Sequence, residues 1–291
     1  MSFDEAGGPR SRSSRRRRSR SSGRAGRDLP VAIGVSLILA ACIIGTLYTV
    51  KVTFLAVLIA AITLAIIELT RSMAAGGIRV PAVPVVLGEV AMLVGAYLRG
   101  PQVLAVVLAL STLALIVWRM PDGAEGYVRD VSAAIFVTAY VPFLAGFAAL
   151  LLVPEDGADR VMTFIVVTVC SDVGGYATGI LFGRHPMAPA VSPKKTWEGF
   201  AGSAIACMGG GAALVYWLLG GAPWQGAALG AAVLASATMG DLGESLIKRD
   251  LGIKDMGTLL PGHGGIMDRL DSLLLSAPVV WLLLTIFIPP S

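Results

Sequence analysis

Nine runs of apolar residues, each long enough to cross a bilayer, decide what this chain can fold into. They lie at about 31–50, 52–70, 80–98, 102–118, 131–153, 161–183, 199–220, 224–241 and 268–288. A spanning helix needs about 20 mostly apolar residues. Composition agrees: 55% of the residues are hydrophobic and 14% charged, against about 25% charged in soluble domains. The mean hydropathy is +0.77. A water-soluble chain of this length needs more polar surface to cover its core. The expected fold is all-α, a polytopic integral membrane protein of about nine transmembrane helices. Gly and Pro are frequent, as neighbouring helices permit in such folds. Cys42, Cys170 and Cys207 each sit inside an apolar run and form no CxxC pair. They read as small core residues rather than a disulfide or zinc framework.

The basic residues orient the helices. Residues 1–29 hold nine arginines among serines, with little apolar content, a composition that does not fold by itself. The tail is no cleavable signal, because the run that follows is long enough to span. Its arginines suit nucleic acid, but directly before a membrane span they are better read as an anchor at anionic headgroups, with no nucleic-acid partner. With this tail inside, the alternation of nine spans leaves only Lys51, Arg99 and Arg160 of the twenty-three Lys and Arg on the far side. The positive-inside rule thus places the N-terminus in the cytoplasm and the C-terminus outside, with the acidic 154–159 loop outside too. The chain divides into the tail 1–29, five spans over 30–160, and a C-terminal region 161–291. That region has four spans with cytoplasmic loops at 184–198 and 242–267.

Polar residues gather in this second part. Asp172 falls inside the sixth span, where a lone carboxylate costs several kcal/mol unless it faces a cavity or a partner. Gly175, Gly179 and Gly183 recur at four-residue spacing and read as a packing stripe. Glu68 near the cytoplasmic end of the second span and Glu89 deeper in the third are further acids that the site could recruit. Between residues 240 and 272 stand eleven ionisable groups: Asp241, Glu244, Lys248, Arg249, Asp250, Lys254, Asp255, His263, Asp268, Arg269 and Asp271. Asp241, Glu244, Ser245 and Lys248 share one helical face, and Asp268 and Asp271 are also i, i+3. Hard carboxylate oxygens of this kind suit Mg²⁺, which takes one or two carboxylates and completes its shell with water and phosphate. Lys194, Lys195, Lys248, Arg249, Lys254 and Arg269 suit phosphate oxygens, and the glycines of PGHGG (261–265) let backbone approach a phosphate. His185 and His263 are the only histidines, too few for a His-rich metal site. Ser192 and Ser245 have no evident base beside them. Residue chemistry alone therefore indicates metal-assisted phosphoryl-type transfer at a membrane surface.

The segment 245–271, SLIKRDLGIKDMGTLLPGHGGIMDRLD, resembles the signature of the phosphatidate cytidylyltransferases, also called CDP-diacylglycerol synthases. Eleven fixed positions are met: Ser245, Lys248, Arg249, Lys254, Asp255, His263, Gly264, Gly265, Asp268, Arg269 and Asp271. The block SPKKTWEGFAGS (192–203) and the Asp-x-x-Gly-Tyr of 172–176 are also similar to that family. Val173 stands where many members carry a hydroxyl residue, and the first half resembles the family only in its hydrophobicity. The resemblance implies transfer of the CMP moiety of CTP to phosphatidic acid, giving CDP-diacylglycerol and pyrophosphate with Mg²⁺, with room for a second cation. It implies Asp241 and Asp268 as first metal ligands and Glu244, Asp172 and Asp271 as further ones. Catalytic roles fall to Asp241, Asp268, Lys248, Arg249, His263 and Arg269. Substrate binding falls to Ser192, Lys194, Lys195, Thr196, Glu198, Ser245, Lys254, Asp255, Gly264 and Gly265. The basic side chains are phosphate contacts, undivided between CTP and lipid, and His263 is a contact or loop organiser rather than a base. The implied setting is the inner (plasma) membrane, with the site toward the cytoplasm, membrane lipids as partners and a homodimer compatible. The alternative, a transporter of anionic phosphorylated solutes, requires two related halves with broken helices in matching places, whereas these charges are confined to the C-terminal half. The Asp-Gly-x-x-Ala-Arg block of the CDP-alcohol phosphotransferases is absent. A non-enzymatic membrane tether leaves the buried acids unexplained.

Overall fold

A computed structural model describes residues 25–188, 192–257 and 264–289. Among these residues ten α-helices run as α1 (Ala25–Thr49), α2 (Lys51–Ala75), α3 (Ala82–Arg99), α4 (Pro101–Arg119), α5 (Tyr127–Thr138), α6 (Leu144–Leu151), α7 (Gly157–Phe182), α8 (Trp197–Leu219), α9 (Pro223–Asp250) and α10 (Met267–Phe287). A π-helical turn, Ala139–Phe143, joins α5 to α6 around Pro142, so the two form one span, Tyr127–Leu151. Proline has no N–H to give the helix ladder, and the wider turn absorbs the defect. Among the described residues, eight helices are long and apolar enough to cross a membrane, and α1 adds the shorter apolar stretch Leu37–Thr49. The protein is an all-α polytopic membrane protein. Most of the expected tail, residues 1–24, lies outside the described residues.

The apolar surface faces outward. The most apolar stretch of α7 has a mean hydropathy of 1.6 but is only 22% buried, and Ile180, Leu181 and Trp217 are among many exposed large apolar side chains. In water such a surface would aggregate; in lipid it is the solvated face. Inside, Ile66, Leu69, Met92, Leu93, Val137 and Val280 belong to one continuous core. Helices α7 to α10 pack as consecutive neighbours, and α10 also lies against α6 and α2, joining the two halves. The glycine stripe serves this packing: Gly175 faces Ser203 and Gly179 faces Thr196, both on the chain entering or forming α8.

Polar clamps close the two ends of the bundle. At one end Arg160 holds Asp156 at 2.7 Å and the carbonyl of Ile288 at 2.8 Å, which satisfies the exit of α10. Tyr48 donates to Asp159 at 2.8 Å, and Lys51 donates to the carbonyl of Pro154. At the other end, buried Asp130 accepts from Arg119 Nε and Nη2 at 3.2 and 3.1 Å and from the Arg79 backbone N–H at 3.1 Å. Breaking a buried pair from one side leaves an uncompensated charge, which costs about 3–5 kcal/mol. Asp130→Asn is therefore expected to lower stability by about 3 kcal/mol. Unfolding in mixed micelles checks this, and an unchanged midpoint would show that the pair is not a clamp.

The structure differs from the sequence reading in three local respects. Helix α9 continues to Asp250, through residues expected to open a loop at 242. The 184–198 segment contains an antiparallel hairpin of β1 (Pro186–Ala188) and β2 (Ser192–Thr196). Glu89 is fully buried and accepts from Thr63 at 2.8 Å across α2 and α3, so it serves that packing.

Candidate active site

A cavity of about 610 Å³ opens where α7, α9, α10 and the β2–α8 junction meet. Each element delivers specific chemistry. Helix α7 brings Asp172, α9 brings Asp241, and the first turns of α10 bring Asp268, Arg269 and Asp271; Lys195 comes from β2. Gly240 makes the convergence possible, because its missing side chain lets α9 abut the backbone of α10 at Asp271 and Ser272. A Cβ there would push the two acid-bearing helices apart.

Lys195 reaches over to Asp241 at 2.5 Å, and this pair stands in the cavity wall, 22% and 39% exposed. Below it the arrangement is tighter. Lys248 bridges Glu244 at 2.6 Å and Asp268 at 2.7 Å, with Glu244 only 2% exposed. The i, i+4 spacing of Glu244 and Lys248 on α9 brings them together. Asp268 also accepts from the backbone N–H of Met256 at 3.1 Å and of Gly265 at 2.8 Å. It therefore ties the start of α10 to both sides of the preceding loop. Gly264 has φ +84° at this turn, a conformation that glycine adopts without strain.

Other residues take supporting places. Thr196 lines the cavity and caps α8, accepting from the Gly199 N–H at 3.1 Å. Glu198 turns away, 2.6 Å from His185 Nδ1, and accepts from the N–H groups of Arg184 and His185. It braces the hairpin rather than facing the cavity. Ser192 lines the cavity, as does Tyr176 of the Asp-x-x-Gly-Tyr block. Lys254, Asp255 and Arg249 are exposed and Ser245 is half-buried on α9; none of the four lines the cavity. His263 and the side chain of Lys194 lie outside the described residues.

Sequence reasoning missed Tyr140, which projects from the π-helical turn of the first half. Its hydroxyl is buried without a partner among the described residues, and it lies in the field of Asp271, Glu244 and Asp241. Only the proline two residues on marked that turn, and nothing in the sequence aimed its tyrosine.

The donor set suits a hard divalent cation. Asp172, Asp241 and Asp271 face one cavity and interact electrostatically. One oxygen of Glu244 is buried without a partner among the described residues, in the field of Asp271. Among the described residues no three His, Cys, Asp or Glu side chains close around one point. Mg²⁺ takes only one or two carboxylates and completes its shell with water and phosphate oxygens. Carboxylates, two cavity cations and lipid-facing Val173 and Tyr176 at the rim can together align two anionic reactants, one of them a lipid.

The sequence pattern of the cytidylyltransferase family matches residues 30–287. The chain belongs to that family. It is 42% identical over 282 residues to the phosphatidate cytidylyltransferase of Mycobacterium leprae, covering 90% of this chain and 89% of that protein. The Mycobacterium tuberculosis (H37Rv) protein of the same name is 40% identical over 276 residues, 90% of this chain and 84% of its own. A Brucella suis phosphatidate cytidylyltransferase is 37% identical over 153 residues, 51% of this chain and 57% of that protein. The mycobacterial matches run through the first half as well, which the motifs alone did not cover.

Proposed function

We propose that this member of the cytidylyltransferase family transfers the CMP moiety of CTP to phosphatidic acid, giving CDP-diacylglycerol and pyrophosphate. The observation that carries the reading is the cavity that sets Lys195 and Arg269 among Asp172, Asp241 and Asp271 at one end of lipid-facing helices. A phosphate monoester has its second pKa near about 6, so at neutral pH it is largely a dianion and already a nucleophile. A phosphatidate oxygen attacks the α-phosphorus of CTP; the bond from that phosphorus to the bridging oxygen breaks, and pyrophosphate leaves with the electron pair. No base is needed for a nucleophile that is already ionised. The obstacle is like-charge repulsion, and Lys195 and Arg269 lower it by contacting phosphate oxygens where water is partly excluded.

Asp241, Asp271 and Asp172, with Asp268 at the edge, would hold Mg²⁺, which supplies neutralisation of the nucleotide phosphates when bound. Lys248 and Glu244 keep Asp268 in place from behind. The inside-biased Lys and Arg support a site on the cytoplasmic face of the plasma membrane, where CTP is available. A second cation and a homodimer belong to the same reading, tested by cation titration and by the mass of the purified protein in detergent. The deciding experiment incubates purified protein with phosphatidic acid, radiolabelled CTP and Mg²⁺, with and without chelator. A lipid-soluble cytidine product that disappears with chelator is expected; no such product would overturn the assignment.

A further inference from the structure

The helices of the first half do more than anchor the chain, because α2 reaches into the site from behind. Glu68 and Ser72, one helical turn apart on α2, share a face. Glu68 is buried at 4% exposure, and its Oε2 accepts from the backbone N–H of Met267, the first residue of α10, at 3.0 Å. Ser72 Oγ donates to the carbonyl of Met256 at 3.0 Å. Met256 and Met267 stand on either side of the segment that carries the Gly-rich signature, and both are otherwise tied to Asp268 or start its helix. The other oxygen of Glu68 is buried and has no partner among the described residues.

The glycines on either side report the same fit. A Cβ at Gly265 would stand 2.6 Å from Glu68 Oε2 and 2.8 Å from the Gly257 nitrogen, and a Cβ at Gly257 would strike Glu68 Oε1. Glu68 thus fills the space that two side chains would otherwise occupy. A carboxylate buried this deeply is costly unless it meets donors. Here it meets an N–H at the start of α10, where the helix dipole also favours negative charge.

We propose that Glu68 and Ser72 are positioning residues. Together they pin both ends of the 257–265 segment against α2, and so set where Asp268 and Asp271 stand relative to Asp241. The inference rests on the proposed reaction for its kinetic consequence, but its geometric part stands apart from it. A displacement of about an ångström at a reacting centre can cost a hundredfold in rate.

Glu68→Gln keeps the volume and removes the charge. We expect kcat per folded molecule to fall about tenfold or more, with KM for CTP changed far less. Ser72→Ala, a milder change, should lower kcat about threefold while the protein still folds. Hydrogen exchange of the Met256, Gly257, Gly265 and Met267 amides, without substrates, should speed up in both variants. Gly265→Ala should be impaired alone, and combining it with Glu68→Ala, which makes room, should cost less than the sum of the two changes. Wild-type kcat in Glu68→Gln and Ser72→Ala together with unchanged exchange would overturn the inference. If wild-type protein makes no lipid-linked cytidine product, the proposed reaction fails, and the exchange measurement still decides the geometric claim. A variant that loses folded protein in proportion to its activity, with kcat per folded molecule unchanged, refutes positioning.

Discussion

Asp268→Asn should reduce CTP turnover by roughly a hundredfold to a thousandfold, the loss typical of removing one preorganised charge contact from an active site. The reason lies in how many partners that carboxylate serves. Its two oxygens accept from Met256 N–H, Gly265 N–H and Lys248 Nζ. Asparagine offers one carbonyl oxygen to three donors and turns an NH₂ toward at least one of them. It also withdraws the negative charge that holds Lys248 beside Glu244, leaving a half-buried lysine with one anionic partner instead of two. The helices themselves are held by apolar packing, so the protein should still insert and fold. Turnover with Mg²⁺ varied, alongside circular dichroism of the purified variant, measures this. Near-normal turnover in a folded Asp268→Asn protein would sink the assignment of the site.

The second large effect is expected at the Lys195–Asp241 pair. The two side chains touch at 2.5 Å, so in the absence of substrates each satisfies the other. Asp241→Asn removes a donor oxygen and is expected to lower kcat roughly a hundredfold and to raise the Mg²⁺ concentration needed for half-maximal rate. Lys195→Ala removes a phosphate contact, and a charge-assisted hydrogen bond of about 1.5–3 kcal/mol corresponds to a rise of tenfold or more in KM for CTP. Its Mg²⁺ requirement should not rise, because Asp241 is then freed. Opposite behaviour of the two variants in a Mg²⁺ titration separates a cation-binding acid from a phosphate-binding base. If both variants shifted KM for CTP alone, Asp241 would have no part in holding the ion.

Much of this site was legible along the chain because its parts are local. Asp241, Glu244 and Lys248 recur at helical spacing, so one face of α9 was predictable, and Asp268 and Asp271 follow on α10 in the same way. Membrane helices were legible for a stronger reason: lipid offers no hydrogen-bond partners, so a long apolar run must be helical. Spacing does not reveal which neighbours a side chain meets across helices. Lys248 reads in sequence as a phosphate clamp, yet it is already held by two carboxylates beneath the cavity. Glu198 reads as a substrate contact, yet it braces the hairpin through His185.

The sequence by itself therefore determined the class of protein, the run of helices, the face of α9 and the chemistry the charges could perform. Those properties follow from hydropathy and periodicity, which act over one or two helical turns. Only the tertiary structure decided which acids face the cavity and which lie behind it. It alone carried Tyr140 and Glu68 from the first half to the second, and let Gly240 bring α9 against α10. Such contacts join residues up to 199 positions apart, as Glu68 and Met267 are. They arise from how helices pack, and packing depends on the shapes of every surface that meets rather than on any one segment.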